Sequence, residues 1–206
     1  MAVCVAGALF AATAAQGAIV EVGEIRPGVP ALFFTANAGE PNDVAIRPKG
    51  RISTSTDDLG LSYHVITVVD EGSTLTTGGS YPCVLLSAHK ARCTSFANGF
   101  SWIQFDLRDG PDRLSMPARV GYPTTLIYSD GGGNRFTVRG PSTEVYGAFT
   151  GDVVRFKPPG GGGVITGGSP TLKLVDGAPE YVDCRPPGTP RVFSDPLDSF
   201  SSYCSV

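Results

Sequence analysis

The chain has 206 residues, of which 41% are hydrophobic and 9% aromatic, enough apolar side chains to bury a core. Its 27 glycines and 17 prolines disfavour long helices, and they lack the three-residue period of collagen. The 16 basic and 19 acidic residues alternate in sign along the chain and leave a net charge of −3, so the sequence predicts no nucleic-acid partner.

Residues 1–15 have the composition of an export signal. They have no charged side chain, Ala, Val, Leu and Phe dominate them, and they end in small residues that suit a signal peptidase. The basic residues that usually precede such a run are missing. No later segment reaches the roughly 18 apolar residues of a transmembrane helix. We therefore expect a secreted chain without a membrane span, which begins near Gln16 after cleavage.

Short strand patterns follow. Ile103, Phe105 and Leu107 alternate with polar residues, which predicts a strand with one buried face. Similar short runs, bounded by Gly, Pro, Asn or Asp, occupy residues 32–35, 63–69, 124–128, 136–138, 153–156 and 172–175. The pattern predicts an all-β protein with a small N-terminal β module over residues 16–98 and a second unit over residues 99–206.

The chain contains five cysteines, of which Cys4 falls within the predicted signal segment. The other four allow three pairings. The local one, Cys83 with Cys93 and Cys184 with Cys204, is favoured because each pair brackets a single hairpin or turn. Zinc is the competing use of four cysteines, but no Cys-x2-Cys spacing occurs.

A short tract recurs in the second unit. Residues 109–114 and 131–136 both contain glycine, then Asp112 or Asn134, then arginine and a large apolar residue, and the two copies are 22 positions apart. Glycine suits a tight turn, and the apolar residue starts an inward-facing strand. Such repetition predicts a short, degenerate parallel β-roll or β-helix, a solenoid, over residues 99–206, with Cys184 and Cys204 closing a C-terminal cap.

Residues 157–170 interrupt this pattern with prolines and four consecutive glycines. We interpret them as a flexible linker or an insertion in a solenoid loop. They do not form a phosphate-binding loop, because no Lys-Ser or Lys-Thr follows the glycines.

The order of these motifs resembles that of secreted actinobacterial proteins related to the RTX, or haemolysin-type, calcium-binding repeat family. The matching stretches are residues 39–44, the first cysteine pair, residues 105–114, and the tail with Val182-Asp183-Cys184, Asp195, Asp198 and Cys204. The resemblance implies a parallel β-roll in which Gly-rich turns share Ca²⁺ through Asp carboxylates and backbone carbonyls.

Calcium requires about six to eight oxygen ligands, and this chain supplies few. Arg108 stands at a glycine position and a neutral Asn134 at a ligand position. The resemblance therefore implies at most weak calcium binding, for which the candidate ligands are Asp109, Asp112, Asp130 and Asn134. Asp and Asn beside glycine are also ordinary turn residues, so both interpretations stay open.

The two histidines, His64 and His89, lack a partner at catalytic or metal spacing. We therefore predict a monomeric, non-catalytic extracellular structural or interaction protein whose partner is unknown or is a cell-surface polymer. The alternative is a polysaccharide-active enzyme or a carbohydrate-binding module on a β-helix scaffold. A protein whose ion sites have decayed while its fold persists is a third possibility.

Overall fold

The computed structural model describes residues 17–47, 55–56, 62–79, 82–96, 100–116, 124–139, 142–147, 150–157, 162–174 and 179–205. The predicted signal segment and the predicted boundary at residues 97–99 lie outside them. The described residues form strands and contain no helix. Accordingly, this part of the chain includes no apolar helix of membrane-spanning length.

Nineteen strands lie within these ranges. The first eight are β1 Ala18–Arg26, β2 Val29–Thr35, β3 Asp43–Arg47, β4 Ser55–Thr56, β5 Ser62–Asp70, β6 Leu75–Gly79, β7 Cys83–Ser87 and β8 Lys90–Phe96. The others are β9 Trp102–Asp106, β10 Arg113–Ser115, β11 Thr124–Tyr128, β12 Arg135–Val138, β13 Ser142–Tyr146, β14 Val153–Phe156, β15 Gly162–Thr166, β16 Thr171–Lys173, β17 Tyr181–Arg185, β18 Arg191–Phe193 and β19 Ser199–Phe200.

The strands form two sheets. The first sheet has the order β19-β17-β15-β13-β11-β9-β2-β1-β6, and the second has the order β18-β16-β14-β12-β10-β3-β5-β8-β7, with β4 on β5. From β2 to β19 and from β3 to β18 all neighbours are parallel, and each coil of the chain adds one strand to each sheet. The predicted all-β fold with a parallel β-solenoid is confirmed.

The core lies between the sheets and consists of columns of side chains from equivalent positions in successive coils. Because side chains alternate along a strand, every second residue points inward. One column of the first sheet contains Phe34, Phe105, Ile127, Val145, Ile165 and Cys184, all buried. The facing column of the second sheet contains Val44, Leu114, Phe136, Val154, Leu172 and Val192, also buried.

The repeat seen in the sequence corresponds to one coil. Leu114 and Phe136, which follow Asp112 and Asn134 at the same distance, lie opposite each other on β10 and β12. One turn earlier, Val44 pairs with Leu114 although the two coils are 70 residues apart in sequence.

The residues between those two coils extend the same sheets. Strands β5, β8 and β7 continue the second sheet in antiparallel order, whereas β6 pairs in parallel with β1 in the first sheet. The N-terminal module and the solenoid therefore share both sheets, and their division near residue 98 stays a prediction.

The interpretation of residues 157–170 as a linker or loop insertion was wrong for residues 162–166, because β15 lies inside the first sheet between β13 and β17. Residues 158–161 lie outside the described residues. Core packing explains why position 163 is a glycine. It occupies the inward column beside Thr143 and Val182, where a Cβ atom would lie 2.4 Å from Cζ of Phe156. The ring of Phe156 thus fills the space that a side chain at position 163 would need.

Both disulfides have the local pairing that the spacing predicted. Cys83–Cys93 joins the edge strand β7 to β8, where the two residues are direct cross-strand partners. Cys184–Cys204 joins β17 to the segment after β19, and Ser205 pairs with Arg191 there. The second bond therefore fastens the C-terminal segment onto the last coils.

The fit between Gly163 and Phe156 can be tested with a double-mutant cycle. Gly163→Ala is expected to cost about 1–3 kcal/mol of unfolding free energy through overpacking. Phe156→Leu alone is expected to cost about 1–2 kcal/mol through a cavity. Urea unfolding of the double variant should give a loss about 1 kcal/mol smaller than the sum of the two single losses. Strict additivity would show that the ring does not restrict position 163.

Candidate functional site

A row of polar side chains lies inside the turn that leads from the first sheet into the second. Its members come from successive coils and are almost completely buried; we call Asn42, Asp112, Asn134 and Asp152 the polar ladder. The Asn42 backbone N–H donates to Oδ1 of Asp112 at 2.8 Å, and the Asp112 N–H donates to Oδ1 of Asn134 at 2.7 Å. The Asn134 N–H donates in turn to Oδ1 of Asp152 at 2.9 Å. Each side-chain oxygen thus binds the backbone of the preceding coil.

Short side chains and the turn geometry explain why the ladder forms. The amide Nδ2 of Asn134 donates to Oγ of Ser129 at 2.7 Å and to the carbonyl oxygen of Gly131, within its own turn. The equivalent position of the next coil is Pro170, whose side chain has no oxygen to accept a hydrogen bond. The ladder ends at Asp152 for that reason, and its hydrogen bonds stabilise the stacking of coils.

The fold divides the four candidate calcium ligands between two environments. Asp112 and Asn134 lie in the buried ladder, whereas Asp109 and Asp130 lie exposed on the outside of the turns. Oδ1 of Asp109 accepts the Gly39 N–H at 2.9 Å. The structure thus brings Asp112 and Asn134 together and places the two exposed carboxylates elsewhere. Within the described ranges, no group of three or more His, Cys, Asp or Glu side chains is arranged to hold a metal ion.

A further buried carboxylate, Asp70, was not among the candidate ligands. Its Oδ1 accepts the backbone N–H groups of Asp43, Gly72 and Ser73 at the end of β5. Burial raises the pKa of the Asp70 carboxyl above its ordinary value of 3.8, and the three N–H donors oppose this shift. The pattern Asp70-x-Gly72-Ser73 is typical of a side chain that closes a turn, and it was the signal available in the sequence.

The same effect operates on Asp112 in the ladder. Burial raises the pKa of its carboxyl above 3.8, while hydrogen bonds from Asn42 lower it. Among the described residues, the second oxygen of each of these two carboxylates has no hydrogen-bond partner. An unpaired, desolvated oxygen disfavours the charged form, which is why burial is the dominant cause of both shifts.

The two histidines have separate places in the fold. Nδ1 of His89, in the turn between β7 and β8, lies 2.8 Å from the carbonyl oxygen of Ser73 and 3.0 Å from that of Asp70. It therefore donates to the backbone of the β5–β6 connection. His64 lies half-buried on β5.

On the outer face of the first sheet, acidic side chains have partners on the same face. Asp106 pairs with Arg108 at 3.0 Å and Asp183 with Arg185 at 2.8 Å. The Tyr146 hydroxyl donates to Glu144, which raises the pKa of Tyr146 to about 12. The ring of Tyr146 stacks on that of Tyr128, with centroids 5.1 Å apart.

The outer face of the second sheet is basic. One exposed cation projects from each of five successive strands, β10, β12, β14, β16 and β18; we call them the cationic ladder, and they are Arg113, Arg135, Arg155, Lys173 and Arg191. Sequence analysis missed this surface because the signs alternate along the chain. The coils bring together residues about twenty positions apart, such as Arg113 and Arg135.

The polar ladder gives a pH-dependent prediction. Because the pKa of Asp112 is raised, the stability it contributes is fully present below pH 3.8 and is lost as the pH rises through the folded-state pKa. Asp112→Asn keeps an oxygen acceptor for Asn42 and does not ionise, so it should equal or exceed the parent chain in stability at pH 7. The difference should vanish at low pH, as measured by urea unfolding across the acidic range.

Asp112→Ala removes the acceptor and should cost about 1–3 kcal/mol at every pH. Asp130→Asn, at an exposed turn position, is the matched control and should change nothing. A loss in Asp112→Asn at pH 7 as large as that in Asp112→Ala would show that the negative charge itself is needed there.

No protein-family model, no curated protein and no solved structure matches the chain. The resemblance to calcium-binding repeat proteins therefore remains a prediction, and the functional conclusion has to come from the chain's own geometry.

Proposed function

We propose that this protein is an exported, non-catalytic interaction module that binds an extended extracellular polymer on the flat outer faces of its solenoid. The supporting observation is the unbroken parallel register from β9 to β17 and from β10 to β18. Strands in register repeat about every 4.8 Å, so each outer face presents side chains at a regular spacing on a rigid surface. A repeating polymer is the kind of partner that such a surface fits.

The local roles of the polar side chains favour binding over catalysis. Oδ1 of Asp112 and of Asn134 bind backbone N–H groups of neighbouring coils. The ring of His89 is held by two backbone carbonyls. These groups maintain turns, which supports a structural role for His89 and for two of the four candidate ligands.

Two features support export. The disulfides Cys83–Cys93 and Cys184–Cys204 are of the kind that persists in oxidising compartments. Residues 1–15 have the composition of a signal segment, as argued above. We infer that the protein acts outside the cell.

Calcium, in this proposal, binds weakly through the exposed carboxylates of the turns. Oδ1 of Asp112 and Oδ1 of Asn134 accept backbone N–H groups, so the exposed carboxylates of Asp109 and Asp130 are the remaining candidate ligands. A site with a dissociation constant of about 1 mM would add only about 0.4 kcal/mol of stability in about 1 mM CaCl₂. We expect the free energies of unfolding in EDTA and in CaCl₂ to differ by no more than this amount.

A stabilisation of about 2.7 kcal/mol by CaCl₂ would contradict weak binding, because it requires an ion concentration about a hundred times the dissociation constant. Asp109→Asn and Asp130→Asn should remove any calcium effect, whereas Asp183→Asn, on the outer face of β17, should retain it.

Co-sedimentation with insoluble cell-surface polysaccharides, followed by an assay for new reducing ends, separates the proposed binder from the alternative enzyme. We expect saturable retention of the disulfide-bonded protein without any time-dependent release of reducing ends. Soluble fragments appearing in proportion to protein concentration would instead support a polysaccharide-active enzyme. Absence of retention on every polymer would contradict the proposal.

A further inference from the structure

We propose that the cationic ladder is the binding surface for a linear acidic polysaccharide that carries a carboxylate on each sugar. This inference rests on the proposed function and names the partner and the face. Five exposed cations, Arg113, Arg135, Arg155, Lys173 and Arg191, lie on five successive strands of the second sheet. With about 4.8 Å between strands, they form a row about 19 Å long that runs along the solenoid axis.

The arrangement within the row is regular. Arg113 and Arg135 are direct neighbours in one outward column, and Arg155 and Lys173 are direct neighbours in the next. The step between the two pairs moves two residues along the strand, because Thr137 is the residue beside Arg155. Positive charge therefore follows a shallow zigzag, with one cation for each strand spacing.

The row has little negative charge to balance it. Within the described part of the chain, Arg113 is the one member with an ion pair, to Asp43 at 3.8 Å. Like charges on directly adjacent strands repel each other and destabilise a sheet. A polyanion laid along the row would relieve that repulsion in both pairs, which is the charge complementarity that the proposal requires.

Hydroxyl groups and a groove accompany the cations. Ser115 and Thr137 occupy the outward column that continues into Arg155, and Thr171 lies between the strands of Arg155 and Arg191. A groove of about 240 Å³ crosses the middle of the row; it is lined by Arg135, Phe136, Thr137, Val153, Arg155 and Lys173. Alternating cations and hydroxyls match a sugar chain that offers both carboxylates and hydroxyl groups.

Four of the five cations are arginines, and a guanidinium binds a carboxylate through two parallel N–H donors. The phosphates of one DNA strand recur about every 3.4 Å, and those of the duplex about every 1.7 Å, both closer than one cation per strand. Among the described residues of the row, an exposed aromatic side chain lies only at the end, where the ring centroid of Phe193 is 4.8 Å from Cζ of Arg191, and the groove residue Phe136 is buried. The observations thus favour an acidic polysaccharide over a nucleic acid.

A second copy of the chain fits this surface less well. The outer face of the first sheet of that copy would have to supply Asp106, Glu144 and Asp183 to the row. Asp106 and Asp183 are already paired with arginines of their own face, and Glu144 accepts a hydrogen bond from Tyr146. Those carboxylates therefore already have partners on their own face before any such contact forms.

The test is a titration of the disulfide-bonded protein with sodium polygalacturonate, a linear polyuronate, in about 50 and about 200 mM NaCl. We expect saturable binding that weakens with salt. Arg135→Gln/Arg155→Gln should weaken it roughly tenfold or more and make the salt dependence shallower. The matched control, Arg26→Gln/Arg185→Gln, removes the same net charge from the first sheet and should stay within about twofold of the parent chain.

The melting temperature serves as the folding check. Both members of the first double variant are exposed and have like-charged neighbours, so melting should be unchanged or slightly raised. Arg135→Lys/Arg155→Lys keeps the charge without the paired donors and should give an intermediate affinity. An equal loss in the Gln variant and in the control, or an unchanged affinity in a correctly melting Gln variant, would overturn the proposal.

Further measurements distinguish other occupants and other activities. Tighter, ladder-dependent binding of duplex DNA or of dextran sulfate would overturn the polyuronate assignment in favour of that polyanion. Dimerisation that the Gln variant abolishes would replace the polysaccharide by a second copy. Binding of an uncharged glucan that does not depend on the cationic ladder would overturn this inference and leave the proposed function intact. Binding of the polyuronate that depends on the ladder and releases reducing ends would contradict only the non-catalytic role.

Discussion

In both sheets the backbone of each coil hydrogen-bonds to the coils above and below it in parallel register, and this register determines where every side chain lies. Phe34, Phe105 and Ile127 occupy one inward column because their strands pair without a shift. A slip of one residue would move the whole inward set to solvent, so burial of these columns and the register maintain each other. The polar ladder, the outer faces and the turns all follow from the same repeated coil.

The polar ladder shows how the register is maintained at a turn, where sheet hydrogen bonds end. Buried N–H groups of Asn42, Asp112 and Asn134 would be unsatisfied there without the side-chain oxygen of the next coil. The cost is a desolvated carboxylate at Asp112, whose raised pKa reflects it. Asn134 makes the same backbone bond without a charge, so a change from Asp to Asn in these repeats weakens a metal ligand while preserving the turn.

The two outer faces differ in how charge is balanced. On the first sheet, Asp106 and Asp183 pair with arginines two positions further along their own segment of chain. On the second sheet, the exposed cations stand beside one another on successive strands, and hydroxyl side chains occupy other positions of the same outward columns. The proposed binding of an acidic polymer requires such an asymmetry, because the basic face would lie toward the polymer.

The residue pattern by itself predicts much of the fold. Strands were predicted from the alternation around Ile103 and Phe105, and coils from the repeat that relates Asp112 to Asn134. The disulfides were predicted from the spacing of the four cysteines. Each of these features depends on residues close in the chain or on one repeated distance. Strand β15 was missed because its glycines lack strand propensity, and the reason for Gly163 is the ring of Phe156 on the other sheet. Asp70 was missed because its burial depends on the strands packed around it. The cationic ladder was missed for a related reason. Each of its strands places one cation on the outward face, and the described acidic residues that alternate with these cations along the chain lie in the turns or on the first sheet. Stacking then brings the cations of successive coils together.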